Sequence, residues 1–137
     1  MAALAAEASR ASSTTDMLAA TGRVLLAAIF VLSGASKLAD PTGTIVYIQS
    51  AGLPLSTLAY GGAVAVELIG GLLLIAGVQT RIVASAIAAF SVAAAFSFHA
   101  NLADQNQFIH FFKNIAMAGG LLQVAAFGSG RFGFDQR

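Results

Sequence analysis

One carboxylate in the middle of an apolar stretch is the residue whose chemistry most needs an explanation. Glu67 is the only charged residue between Ala63 and Gly77, a segment that reads AVAVELIGGLLLIAG. If this segment crosses a bilayer, the carboxylate lies near the midplane, where an ionised acid is costly unless it is paired or protonated. The other polar residues of the apolar stretches are therefore candidates to balance this charge.

The first apolar stretch carries two of these candidates. Arg23 and Lys37 flank thirteen uncharged residues, and Phe30 lies midway between them. Because the three are spaced by seven, they share one face of a helix. A membrane helix needs about 20 residues, so both cations must lie within the span or at its ends.

The last apolar stretch carries three more. His110, Lys113 and Asn114 follow one another at i, i+3 and i+4, which places them on one helical face. Either lysine or the arginine could pair with the buried acid, and the sequence does not choose among them. The predicted buried cluster or ligand site therefore consists of Arg23, Lys37, Glu67, His110, Lys113 and Asn114.

Three interpretations of this cluster stay open: a set of interhelical contacts, a pocket for a quinone-like or anionic amphiphile, and a docking surface for a partner subunit. Gly34, Gly70 and Gly71 are predicted to permit close helix packing. His99 and His110 flank a loop that contains Asp104, but two histidines on different helices are weak evidence for a metal site. We predict neither a metal centre nor a catalytic residue.

The composition favours an integral membrane protein. Hydrophobic residues make up 58% of the 137 residues and charged residues only 9%, whereas soluble domains carry about 25% charged residues. The net charge of +1 does not indicate nucleic-acid binding. The absence of cysteine excludes disulfides and thiolate metal sites.

The hydropathy pattern predicts an all-α fold, a bundle of four transmembrane helices. The expected spans are 17–38, 57–78, 82–100 and 108–127, and residues 42–56 are expected to form a short interfacial helix or re-entrant segment. The predicted organisation is a disordered polar tail over 1–16, a membrane domain over 17–128 and a short cytoplasmic tail over 129–137. Lys and Arg are concentrated in the tails and in the turn at Arg81, so the positive-inside rule places both termini in the cytoplasm.

Several motifs together resemble the DoxX family of membrane proteins over about residues 22–135. They are RVLLAAIFVLSGASKL, the GLP of the first loop, ELIGGLLLIAGVQTR, FFKNIAMAGGLL and GSGRFGFD. The resemblance implies a four-helix protein of the bacterial inner membrane, similar to the DoxD-type subunit of thiosulfate:quinone oxidoreductase and to proteins that assemble with soluble redox enzymes in oxidative-stress defence. The positions that match the family pattern are Arg23, Gly34, Lys37, Glu67, Gly71, Arg81, Lys113 and Asn114.

The function expected from this resemblance is that of an accessory or anchoring subunit of a redox or oxidative-stress system, without catalytic activity of its own. The chain supplies no cofactor ligands, so a quinone is the one cofactor considered. The expected partners are the lipid bilayer, a soluble redox enzyme or another membrane subunit, and further copies of the chain. The alternatives are a quinone-reducing subunit of the thiosulfate:quinone type and a small proton-linked transporter that acts as an oligomer.

Overall fold

Five helices account for most of residues 1–135, the part of the chain that this computed structural model describes. Four of them are long and apolar enough to cross a membrane, which confirms the predicted all-α, four-span architecture. The helices are α1 (Ala2–Ala39), α2 (Pro41–Ser50), α3 (Ser56–Ala76), α4 (Thr80–Phe98) and α5 (Gln105–Phe127).

The connection between the first two spans forms the short helix α2. Asp40 begins it, because its carboxylate accepts a hydrogen bond from the Gly43 amide at 2.9 Å and Pro41 occupies the first helical position. Asp104 caps α5 in the same way, with the Gln107 amide at 2.9 Å. Each acid thus satisfies an amide that a helix N-terminus leaves without an intrahelical partner.

The N-terminus differs from the predicted tail. α1 begins at Ala2 and runs through residues 2–16 without a break, although residues 1–15 are exposed. Alanine has the highest helix propensity, and it is frequent in this segment. The hydroxyls of Thr14 and Thr15 donate to the carbonyls of Arg10 and Ala11 at 3.1 and 2.9 Å, so they bond within the helix instead of ending it.

Two glycines set the approach of α1 and α3. A Cβ at Gly34 would lie 2.8 Å from the backbone nitrogen of Leu68, and one at Gly71 would lie 2.7 Å from the Val31 side chain. Gly34 contacts Leu68, whereas Val31, earlier on α1, contacts Gly71, later on α3. The two helices are therefore antiparallel. Gly70 has a looser contact, because a Cβ there would lie 3.2 Å from Ile87 on α4.

The four long helices share one apolar core and expose apolar side chains around it. The central members of the core are fully buried Ala27 of α1, Leu74 of α3, Ala84 of α4 and Leu121 of α5. Large apolar side chains remain exposed on all four spans, for example Leu25, Leu58, Ile82 and Leu122. An apolar outer surface of this extent fits hydrocarbon rather than water.

Residues 128–135 fold back onto the end of the bundle where α1, α3 and α4 meet; we call this segment the C-terminal clasp. The Asp135 carboxylate accepts the backbone amides of Gln79 and Thr80, both at 2.7 Å, and so caps α4. The backbone amide of Asp135 donates to the Gly77 carbonyl at 2.8 Å. The described part of the predicted cytoplasmic tail is thus held against the bundle; residues 136–137 lie outside the described residues.

Candidate functional site

The Glu67 carboxylate is buried and pairs with Lys37. Lys37 Nζ lies 2.7 Å from Glu67 Oε2, and the exposed fractions of the two side chains are 26% and 7%. Ser33 joins the pair, because its hydroxyl donates to Glu67 Oε1 at 2.9 Å and accepts from Lys37 Nζ at 2.8 Å. Ser33, Lys37 and Glu67 therefore form a closed polar triad between α1 and α3.

The triad is balanced in charge and still has hydrogen-bonding capacity. One ammonium and one carboxylate cancel, so the group as a whole is neutral. The Lys37 ammonium has three N–H donors, and within residues 1–135 it contacts the Ser33 hydroxyl and the Glu67 carboxylate. One N–H therefore remains for a carbonyl or hydroxyl oxygen that approaches from the adjoining space.

Local backbone geometry brings the three residues together. Glu67 lies in a π-helical turn, Ala65–Ile69, inside α3, a feature that is frequent at functional sites. Leu68, the next residue, makes the close contact with Gly34. Because Ser33 precedes Gly34 on α1, the same contact brings its hydroxyl to the carboxylate.

A cavity of about 350 Å³ opens beside the triad. This volume lies within the range of about 300–1,000 Å³ typical of small-molecule sites. Its polar wall includes Ser33, Lys37, Glu67, Asn114 and His99, and most of the remaining wall is apolar or aromatic. A few polar groups on an otherwise apolar surface suit an amphiphile that has a polar head.

Helix α2 supplies one side of the cavity. Thr44, Tyr47 and Ile48 all line it, and Ile48 is buried. The Tyr47 ring stacks on Phe98 of α4 with centroids 5.3 Å apart and planes inclined by 17°. The segment between the first two spans is therefore part of the site.

Arg23, one of the residues considered as a partner for Glu67, lies at the other end of the bundle. Its side chain is buried and donates from Nη2 to the Phe132 carbonyl of the C-terminal clasp at 2.7 Å. At about 1.5 Å per residue, Arg23 lies roughly 21 Å along α1 from Lys37. It therefore holds the clasp, and a Cβ at Gly77 would collide with its guanidinium.

The three candidates on α5 lie at different distances from the cavity. Asn114 lines it and donates to the His110 carbonyl at 2.9 Å. His110 lies behind His99, with ring centroids 5.1 Å apart. Lys113 is exposed on the outer side of the helix.

Ser33, His99 and the aromatic pair Tyr47–Phe98 are the site residues that the sequence reasoning missed. Ser33 could have been found, since it lies four residues before Lys37 on the face that carries Phe30. His99 and Tyr47 carry no such signal, because their positions depend on how α2 and the end of α4 meet. Among residues 1–135, no three His, Asp or Glu side chains are grouped so that they could hold a metal ion.

Comparison with known proteins gives the family. The DoxX family model matches residues 18–100. Inner membrane protein YqjF of Escherichia coli (strain K12) is 31% identical over 121 residues, which cover 88% of this chain and 92% of YqjF. The chain belongs to the DoxX family.

Two further relatives differ in how much of the chain they match. Inner membrane protein YphA of E. coli (strain K12) is 30% identical over 120 residues, 84% of this chain and 86% of YphA. Putative oxidoreductase CatD of Bacillus subtilis (strain 168) is 49% identical over 61 residues, 44% of each chain. No solved structure matches. This DoxX protein is therefore a multi-pass protein of the bacterial inner membrane.

Proposed function

We propose that this DoxX protein binds a quinone in the cavity beside Lys37 and Glu67 and serves as a non-catalytic accessory subunit of a membrane redox system. The observation that carries the proposal is the combination of a neutral polar triad with an apolar, aromatic cavity. A quinone has carbonyl oxygens that only accept hydrogen bonds, a flat ring and an apolar tail, and each of these has a counterpart in the wall.

Charge balance favours a neutral ligand over an anionic one. Lys37 is neutralised by Glu67, Arg23 lies roughly 21 Å away at the clasp, and Lys113 faces outward. An anion would therefore meet no uncompensated cation in the cavity and would have Glu67 as a neighbour. A carbonyl oxygen needs only the remaining Lys37 N–H, so of the two ligand classes considered the quinone fits better.

A quinone supplies two-electron redox chemistry when it is bound, and the electrons would come from a soluble partner. The protein residues provide the binding: Lys37, held in place by Ser33 and Glu67, orients the head, and the aromatic wall excludes water. CatD, a relative over part of the chain, is named a putative oxidoreductase, which supports a redox setting. The anchoring of a soluble redox enzyme, in oxidative-stress defence or in another redox process, is part of the proposal.

A proton-linked transporter is less well supported by the same structure. The polar groups at Glu67 and at Arg23 are separated by a buried apolar layer that includes Ala27, Phe30 and Leu74, each at most 4% exposed. Protons would need polar groups or water to cross this layer. Within residues 1–135 the triad is thus a closed site rather than one step of a path through the bundle.

Purification from the native membrane in mild detergent, followed by mass spectrometry of the intact protein and of its organic extract, tests the binding. Lys113→Gln is the matched control for Lys37→Gln, since both remove a lysine from a span but only Lys37 lines the cavity. We expect wild type and Lys113→Gln to retain a quinone and Lys37→Gln to lose it. Equal retention by all three proteins, or phospholipid alone in the extract, would refute the site.

A further inference from the structure

Two histidines stack at the end of the bundle opposite the C-terminal clasp. His99 follows the last residue of α4, and His110 lies in the second turn of α5. Their ring centroids are 5.1 Å apart and their planes are inclined by 27°. They are the only two histidines of the chain.

The two rings differ in their relation to the cavity. His99 lines it together with Lys37 and Glu67, whereas within residues 1–135 His110 lies behind His99 and not on the wall. Lys37 lines the cavity on the side formed by α1 and α3, and His99 lines it at the end of α4. The cavity thus has hydrogen-bonding groups on two separate walls.

The surroundings favour the neutral form of the His99 imidazole. Burial lowers its pKa, and repulsion from His110 and Lys113 on α5 adds to this. Lys37 of α1, Glu67 of α3 and Tyr47 of α2 line the same cavity, with the lysine and the acid already paired. A neutral imidazole carries one N–H donor and one acceptor nitrogen.

We propose that His99 is the second polar contact of the quinone, donating to the carbonyl opposite the one held by Lys37, and that His110 positions the His99 ring by stacking. This inference rests on the proposed quinone site and deepens it. A quinone with two carbonyls on opposite sides of its ring needs donors on two walls, and the triad alone supplies only one. The stacked pair explains how a residue beyond the end of a helix keeps a defined ring orientation.

Two substitutions at His99 distinguish the contribution of its hydrogen bond from that of its aromatic ring. His99→Phe keeps a ring that can stack on His110 but removes both nitrogens, whereas His99→Asn keeps an N–H donor. With decylubiquinone as the probe and the protein in lipid nanodiscs, we expect His99→Phe to raise Kd by about three- to tenfold, the effect of one lost hydrogen bond. His99→Asn should recover most of this loss.

Imidazole nitrogen NMR provides a direct readout. The chain has two histidines, so ¹⁵N labelling of histidine gives two side-chain signal sets, and His110→Asn identifies the His99 set. Decylubiquinone should shift the His99 signals in wild type, and His110→Ala should broaden them because the ring is no longer held. Unshifted His99 signals and an unchanged Kd in His99→Phe, with binding still lost in Lys37→Gln, would refute the role of His99 and leave the quinone site intact. Absence of binding to wild type would instead refute the proposed function.

Discussion

Removal of the Lys37 ammonium is the sharpest perturbation of the buried ion pair. Lys37→Met keeps a long unbranched side chain but leaves Glu67, which is 7% exposed, with Ser33 as its remaining partner of the triad. Loss of one partner of a buried pair costs about 3–5 kcal/mol. We expect about 3 kcal/mol, the low end of that range, because Lys37 is itself 26% exposed.

A double-mutant cycle distinguishes pairing from general damage to α1. If the cost arises from an unpaired carboxylate, Lys37→Met/Glu67→Gln should be more stable than the Lys37→Met single variant. The coupling between the two sites should be about 1–3 kcal/mol, as for residues in direct contact. Lys113→Met is the control on an exposed position of another span, and it should change stability by no more than about 0.5 kcal/mol.

The assay is reversible unfolding in mixed micelles of dodecyl maltoside and increasing SDS, followed by far-ultraviolet circular dichroism. The free energy of unfolding is extrapolated to zero SDS for wild type, both single variants, the double variant and the control. Equal unfolding free energies of Lys37→Met and Lys113→Met would show that the buried ion pair does not stabilise the bundle. Simple addition of the two single effects in the double variant would show the same, since the ion pair would then contribute nothing.

Three further predictions concern packing, pH and topology. Gly34→Ala should destabilise the bundle by about 1–3 kcal/mol, as overpacking does, because its Cβ would lie 2.8 Å from the Leu68 backbone. Gly119→Ala is the control, because open space surrounds the new Cβ. It should be neutral or stabilising in the same SDS titration. The Thr80 hydroxyl and the backbone amides of Thr80 and Gln79 lower the pKa of Asp135, so its stabilising effect should be complete above the unfolded value of 3.8 and be lost as pH falls through the lower folded pKa. The stability difference between wild type and Asp135→Asn should therefore shrink only in that acidic window, and a constant difference from pH 7 to pH 2 would contradict the assignment. In this cysteine-free chain, Ala3→Cys should react with impermeant maleimide only from the cytoplasm and Asn101→Cys only from the periplasm; labelling of both from one face would break the proposed orientation.

The seven-residue spacing on α1 identified the inward face but not the depth at which each residue acts. Arg23, Phe30 and Lys37 are all buried or half-buried, as one shared face requires. The residues lie at different positions along the helix axis and have different partners. Lys37 pairs with Glu67, whereas Arg23 donates to the carbonyl of Phe132, 109 positions later in the chain. A contact with a folded-back segment follows from tertiary packing and leaves no periodic signal in the sequence.

The wall formed by α2 shows a second limit of sequence reasoning. The sequence predicts an interfacial helix or a re-entrant segment over residues 42–56, and neither alternative specifies which part of the bundle this segment covers. Asp40 and Pro41 begin the helix locally, but the stacking of Tyr47 on Phe98 depends on the position of α4. The sequence predicts the capping residues that begin a helix. It does not predict which side of a short helix packs against the bundle.

The π-helical turn explains how a carboxylate can occupy the core face of α3 without loss of packing on either side. The buried positions of this helix are Ala63, Glu67, Gly71 and Leu74. Two successive steps of four residues exceed the 3.6 residues of an α-helical turn, and in a regular helix they would rotate Gly71 away from the face of Ala63. The wider turn at Ala65–Ile69, with its i→i+5 hydrogen bonds, absorbs the excess. Glu67 thus faces Ser33 and Lys37 while Gly71 still meets Val31, so the ion pair and the closest helix contact depend on the same local distortion.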